Sequence, residues 1–342
     1  MSQVDLRSDT ATRPTARMRE AMAAAEVGDD VFCEDPTILE LESCAAELLG
    51  KEAALFVTSG TQGNLVALLT HCARGDAVIL GSESHIYNYE GGGLSALGGM
   101  LAWTVDDREG IPSCEAIADA CRKPDVHFAP ARLLCLENTH NRAGGLAVPP
   151  DRFSSVTAAA RDCSLPIHLD GARLFDAATK WDVAVKEYAS EVDSVQICLS
   201  KGLGAPAGSL VCGTQAFVDE GRHWRKRLGG GMRQAGVLAA PGLIALREMR
   251  LRLHEDHANA ALFAAALGQG GVVVETSPWQ TNMVFFALPE GGASGEEFEA
   301  ACAARGILLL ALGPRRVRIV CHADVSREDV ERAGQVVLDV LA

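Results

Sequence analysis

The chain has 342 residues, of which 48% are apolar and 22% charged, and its formal net charge is −14. That balance excludes disorder as the main state, and at about 150 residues per domain the length suggests two domains with a sizeable core. The acidic excess argues against a general attraction to nucleic acid or to anionic membranes. None of the eleven cysteines is spaced C-x-x-C, which removes the commonest zinc and redox patterns. No basic start leads into an apolar run, and the charge-free run Gly202–Val218 is short and glycine-rich. A reducing, cytoplasmic setting without a membrane span is therefore expected.

In chain order, a helix is predicted over 37–49, with Thr37 and Glu40 at capping-box spacing and Gly50 as its terminator. Strand-like ALFV (54–57) leads into a Thr-Ser-Gly-Thr turn and a helix to about Cys72. AVIL (77–80), LLCLE (133–137), PIHLD (166–170) and VQICLS (195–200) are near-continuous apolar runs of strand length, as in strands buried on both faces. Helices between them imply β-α-β units and an α/β fold with a mainly parallel sheet. The helical stretch near 235–267, interrupted at Pro241, reads as a boundary element. Beyond it, VVVE, MVFFA, a helix at about 295–305, ILLL, VRIV and a helix from Ser326 read as a smaller α+β domain. The expected division is 1–247 and 248–342. The glycine clusters at 91–93 and within LGGGM (228–232) read as turns or close backbone approaches.

Three apolar runs end in polar chemistry, and in α/β sheets the edge beyond the strand carboxyl ends is where ligands bind. Thr58-Ser59-Gly60-Thr61 stands between a strand and a helix, where free N–H groups and hydroxyls suit a phosphate; a plain helix cap uses the same residues. IHLDGAR (167–173) delivers Asp170 and Arg173 to one spot, as an ion pair closing a strand end also would. Ser200-Lys201-Gly202 places a lysine at the end of a buried strand, where desolvation favours the neutral amine that imine formation needs. A lysine there also has the option of snorkelling to solvent. Together the three match pyridoxal phosphate: an anchored phosphate, a carboxylate for the ring nitrogen and an amine for the aldehyde. No P-loop pattern occurs, and no G-x-G-x-x-G follows a strand.

The segments DLRSDTATRPT (5–15), EVGDDVFCEDPT (26–37), SGTQGN (59–64), ESHIYNYEGGG (83–93), LENTHN (136–141), HLDGARLFDA (168–177), LSKGLGAPAGS (199–209), LGGGMRQAGVLAA (228–240) and VRIVCHADV (317–325) span the chain almost end to end. With them the sequence resembles the low-specificity L-threonine aldolases, pyridoxal-phosphate enzymes of the aspartate-aminotransferase-like fold (fold type I). The resemblance implies a seven-stranded-type sheet in a large domain and a small C-terminal domain. It implies that Lys201 holds the cofactor's aldehyde, Asp170 faces the pyridine nitrogen and Arg173 the phenolic oxygen. Gly60 and Thr61 would hold the phosphate, and His85 would stack on the ring. Ser8, Tyr89 and Arg318 would bind substrate, with Lys226 and Arg233 reaching into a partner's site in a homodimer or homotetramer. His127 would sit near the substrate's β-hydroxyl, and His85 or His127 would take its proton. No metal is expected.

The implied activity is reversible cleavage of L-threonine, L-allo-threonine and related β-hydroxy-α-amino acids to glycine and an aldehyde. A phenylserine-type aldolase, another β-lyase or transaminase of the same fold, or a non-catalytic cofactor-binding protein are the alternatives. Taken from the residues alone, His85 also reads as a loop histidine and Arg318 as part of a solvated strand face. In the same plain terms, His127 also reads as a surface residue, and Arg233 with Arg225, Lys226 and Arg227 as a basic helix face.

Overall fold

The structure is a computed structural model describing residues 3–121 and 125–342, and its strands follow the apolar runs. After β1 (Val4–Asp5) come β2 (Ala53–Val57), β3 (Ala77–Gly81), β4 (Leu101–Val105), β5 (Ala131–Glu137), β6 (Ile167–Gly171), β7 (Ser194–Cys198) and β8 (Ser209–Gly213). The last seven form one sheet in the order β2-β8-β7-β6-β5-β3-β4. Pairing is parallel from β7 through β4, while β8 runs antiparallel to both of its neighbours. Every residue of β3, β6, β7 and β8 is buried, as helices on both faces require. The carboxyl ends of β3, β5, β6 and β7 consequently share one edge.

Two of these strands escape the sequence reading. β8 lies inside the glycine-rich run Gly202–Val218, and β4 is an edge strand with partly exposed side chains. The helix expected over 37–49 is Pro36–Leu49, and its cap is Asp35, whose carboxylate accepts from the Ile38 N–H at 3.0 Å. Pro36 follows at the position that needs no N–H donor, while Thr37 donates instead to the Glu26 carbonyl at 2.6 Å. Gly50 does terminate the helix, at φ 62°, a left-handed conformation that favours glycine.

The stretch expected to break at Pro241 instead breaks after it. One helix, Gly236–Arg247, runs through the proline; a short turn at Met249–Arg252 follows, and then the helix Leu253–Gln269. The carbonyl that Pro241 leaves without a donor belongs to Val237, an exposed residue that water reaches.

Beyond this break, β9 (Val274–Glu275), β10 (Met283–Ala287), β12 (Leu310–Ala311) and β13 (Arg316–Val320) form an antiparallel sheet. The run ILLL is divided between two sheets, because β11 (Ile307–Leu308) pairs in parallel with β1. Val4 and Leu6 accordingly pack with Phe263, Phe286 and Phe298 in the second hydrophobic core, while the large sheet has its own. Each such fully buried side chain contributes about 1.5–3 kcal/mol. The start of the chain thus packs with its final hundred residues. Among the described residues, no helix is long and apolar enough to cross a membrane.

Candidate active site

The strand carboxyl ends bring most of the sequence-predicted residues to one edge. Asp170 is buried near the end of β6, directly beside Gln196 of β7. Lys201 follows β7, and its carbonyl accepts from the Thr12 hydroxyl at 2.9 Å, which ties the N-terminal arm to this edge. Its charge is felt at both Asp9 and His85. Ser59 caps the helix Gly60–His71 by accepting from the Gln62 N–H at 3.2 Å, so Gly60 and Thr61 form the helix's first turn with N–H groups directed outward.

His85 opens a short turn after β3 and is anchored at two points. Its backbone N–H donates to Glu137 at 2.7 Å, and its Nδ1 lies 3.0 Å from Glu90 Oε1. Burial pulls the imidazole's pKa down, but the Glu90 hydrogen bond and the nearby Asp170 charge outweigh it and hold it above the ordinary value. Burial in turn raises the Glu90 carboxyl. Asn64 links this pair to Asp170, its Nδ2 donating at 2.8 Å both to Glu90 and to Asp170.

The two arginines differ. Arg173 is fully buried and bidentate to Asp9, with Nε and Nη2 at 2.6 and 2.7 Å, leaving Nη1 for another partner. Burial alone would raise the Asp9 carboxyl, but Arg173 outweighs it and brings it down to about 2. Arg318 stands on β13 between the half-exposed Arg316 and the buried Val320 on the same face, so that face is only partly solvated. Among the described residues it contacts neutral oxygens, Asn141 Oδ1 at 3.3 Å and the Arg7 carbonyl at 3.1 Å, and its buried Nε finds no partner. Burial and the charge of Arg173 lower its pKa. Arg318 and Tyr89 line a common cavity of about 240 Å³ together with Asn141 and Arg142. The Tyr89 hydroxyl accepts from Arg142 at 2.8 Å. Ser8 lies on the arm, next to Asp9, where its hydroxyl caps a turn by accepting from the Thr10 N–H.

Three candidates lie elsewhere in the single chain. His127, which the sequence reading brings to the substrate, is four-fifths exposed and paired with Asp125 at 2.6 Å. It precedes β5, so it sits at the amino edge of the sheet, opposite Asp170. Lys226 lines a cavity of about 420 Å³ with Asp30, Cys33 and Arg222. Arg233 is exposed and pairs loosely with Asp29 at 3.4 Å.

The residues present fit pyridoxal phosphate. Gln196, fully buried on the face it shares with Asp170, has no partner among the described residues for either amide atom. A Cβ on Gly60 would come within 3.3 Å of that amide, so glycine keeps open the space between the helix start and the strand. An unpartnered amide, an open helix N-terminus, a carboxylate and a lysine at one edge suit a ring bearing an anionic arm. His85, Glu90 and Asp170 also place ligand atoms within 4.8 Å of one another, a spacing that the shared Asn64 hydrogen bonds already explain. Asn64, Glu90, Asp9 and Asn141 were all inside quoted motifs without being singled out. The available signal for Asn64 was its position one turn into the helix behind the phosphate turn.

A family model described as beta-eliminating lyase matches residues 5–289. Low-specificity L-threonine aldolase 1 of Arabidopsis thaliana is 46% identical over 336 residues, 96% of this chain and 94% of that protein. The low specificity L-threonine aldolase of Escherichia coli (strain K12) is 45% identical over 330 residues, 96% of each. Among solved structures, the Leishmania major threonine aldolase matches with a TM-score of 0.85 over 99% of both chains at 21% identity. Sphingomonas wittichii serine palmitoyltransferase matches at 0.77 and 17% identity, over 99% of this chain and 87% of that one.

Proposed function

The chain belongs to the low-specificity L-threonine aldolase family, with the aspartate-aminotransferase-like architecture of fold-type I enzymes, and from that premise we infer that it is a carbon–carbon lyase. It takes pyridoxal 5′-phosphate and cleaves L-threonine, L-allo-threonine and similar β-hydroxy-α-amino acids to glycine and an aldehyde. The observation that carries the reading is the delivery of Asp170 and Lys201 to neighbouring strand ends beside the Gly60–Thr61 helix start. When bound, the cofactor supplies the electron sink that lets the Cα–Cβ bond break.

The chain's own residues divide the remaining work. Lys201 holds the cofactor's aldehyde carbon, Asp170 its ring nitrogen, and the N–H groups of Gly60 and Thr61 its phosphate. The Nη1 of Arg173 serves the phenolic oxygen while Asp9 fixes the rest of that guanidinium. Arg318 and Ser8 take the substrate carboxylate, and Tyr89 shares the cavity that Arg318 lines. A bidentate arginine contact fixes the substrate so that the bond to be broken stands in a reactive orientation. His85 covers the ring and is the base for the β-hydroxyl: with Nδ1–H directed at Glu90, Nε2 is left to accept the proton.

Two copies complete the site in this reading, with Lys226 and Arg233 approaching the partner's cofactor. The 70% exposed Phe32, next to the cavity that Lys226 lines, supports such an assembly. The division into 1–247 and 248–342, with β1 crossing over, and a cytoplasmic location belong to the same proposal. The test is acetaldehyde release from L-threonine and from L-allo-threonine by the cofactor-loaded protein. Lys201→Ala is expected to lower kcat/KM by at least ~10³-fold; full turnover in that variant would sink the mechanism. Light scattering that returns one chain's mass would remove the shared site.

A further inference from the structure

A chain of polar groups, buried as far as the half-buried His71, runs from Asp170 along one face of the sheet to its opposite edge, and no step described above uses most of it. Asn64 Nδ2 donates to Asp170 Oδ2 at 2.8 Å, and Asn64 Oδ1 lies 3.1 Å from His168 Nε2. His168 Nδ1 is 2.9 Å from Ser194 Oγ, which is 2.7 Å from His71 Nε2. Asn64 and His71 stand seven residues apart on one face of the helix Gly60–His71. His168 and Asp170 are two apart on one face of β6, with Ser194 opposite His168 on β7. Helical and strand periodicity thus put all five side chains in one layer.

The protons of this chain have a single arrangement. Asn64 must turn its NH₂ toward two carboxylates, Glu90 and Asp170, so its carbonyl faces His168 and requires a proton on His168 Nε2. His168 is fully buried, and its charged form is strongly disfavoured, with burial and the neighbouring His71 bringing its pKa to about 3. The neutral ring's Nδ1 then accepts from the Ser194 hydroxyl, whose oxygen accepts from His71 Nε2–H. Every donor points toward Asp170, and hydrogen bonds aligned in one direction polarise one another. The outer end opens on a cavity of about 750 Å³ lined by His71, Thr70, Lys51, Arg161, Asp193 and Phe217. Asp193 is the charged group acting on His71, whose pKa burial lowers to about 4; Glu90, His85 and Lys201 are those around the inner end.

We propose that Asn64, His168, Ser194 and His71 form a one-directional hydrogen-bond relay that fixes Asp170 for its contact with the cofactor ring. His168 and Ser194 are positioning residues, and His71 sets the outer terminus. Without the Ser194 hydroxyl, His168 Nδ1 loses its donor, so the Nε2–H that faces Asn64 is no longer polarised. Asn64 then holds Asp170 less firmly. The inference rests on the assignment of Asp170 to the cofactor's ring nitrogen.

The test begins with ¹⁵N-histidine NMR of the loaded protein, in which His168 and His71 are both expected as neutral Nε2–H tautomers. Ser194→Ala is expected to weaken pyridoxal phosphate binding about 10-fold, the size of one lost hydrogen bond, and to displace the pH midpoint of the bound cofactor's absorbance. His71→Leu, at the cavity wall, is expected to weaken binding about 3-fold, and His71→Gln, whose amide donates from the same place, to restore it. An Nδ1–H tautomer at His168 overturns the relay, as does unchanged binding and absorbance in both folded Ser194→Ala and His71→Leu. Asp170→Ala separates the two readings. If it alters binding and spectrum while the relay variants do not, only the relay falls; if it alters neither, the assignment of Asp170 falls with it.

Discussion

Arg173 is buried and Arg318 half-buried, both facing the same edge, yet they are held in opposite ways. Arg173 has a full carboxylate partner in Asp9, with two short bonds. Arg318 has two contacts to neutral oxygens, at 3.3 and 3.1 Å, and among the described residues its Nε has none. A buried donor left unsatisfied costs about 1–3 kcal/mol, so Arg318 is poised for a planar anion that the chain itself does not supply. Arg173 is already neutralised, and its position is set before any ligand arrives. The contrast separates a guanidinium that builds the site from one that reads the substrate.

Breaking the built pair should have the largest effect on the fold. Asp9→Ala leaves Arg173 buried and uncompensated, and urea unfolding is expected to show a loss of about 3–5 kcal/mol. Arg318→Ala should do the reverse. Its unfolding midpoint should move little, while KM for L-threonine rises about 100-fold, equivalent to ~2.7 kcal/mol of substrate binding. Arg318→Lys should recover only part of this, because an ammonium lacks the planar fork.

Acid should sharpen the same contrast. Asp9's pKa falls from 3.8 to about 2 on folding, so its contribution is complete above pH 4 and is lost as the pH drops toward 2. That loss is worth about 2 kcal/mol, and Asp9→Asn should remove it from the stability profile measured between pH 5 and 2. The smallest effect belongs to His127, whose pairing with Asp125 is exposed. His127→Ala should leave the thermal midpoint where it was, since exposed ion pairs contribute little.

Asp170 and Lys201 were legible because each is the polar residue that ends an apolar run, and a strand's end fixes its edge. Asn64 was not, because its role depends on where its helix crosses β6, a partner 106 residues away. Asp9 was hidden for the same reason, at 164 residues from Arg173. In the single chain His127 lies at the amino edge and not at the edge that Asp170 marks, a placement the order of the chain already held, because it stands just before β5. The division of ILLL between two sheets was illegible because both halves are equally apolar, and only the pairing of β1 distinguishes them. Pro241 misled because a proline forbids one donor, not a helix, when the carbonyl it strands reaches water.

The pairing of β1 with β11 also sets an order of assembly. Val4–Asp5 have their strand partner some three hundred residues later, at Ile307–Leu308, so during synthesis that pairing must wait until β11 has emerged. The same arm carries Asp9, which neutralises Arg173, and Thr12, which holds the carbonyl of Lys201. The large sheet therefore forms first with a charged guanidinium still unmatched, and docking of the arm is a long-range closure that depends on the last third of the chain. A chain stopped short of β11 retains Asp9 and Arg173 but loses the strand that brings them together.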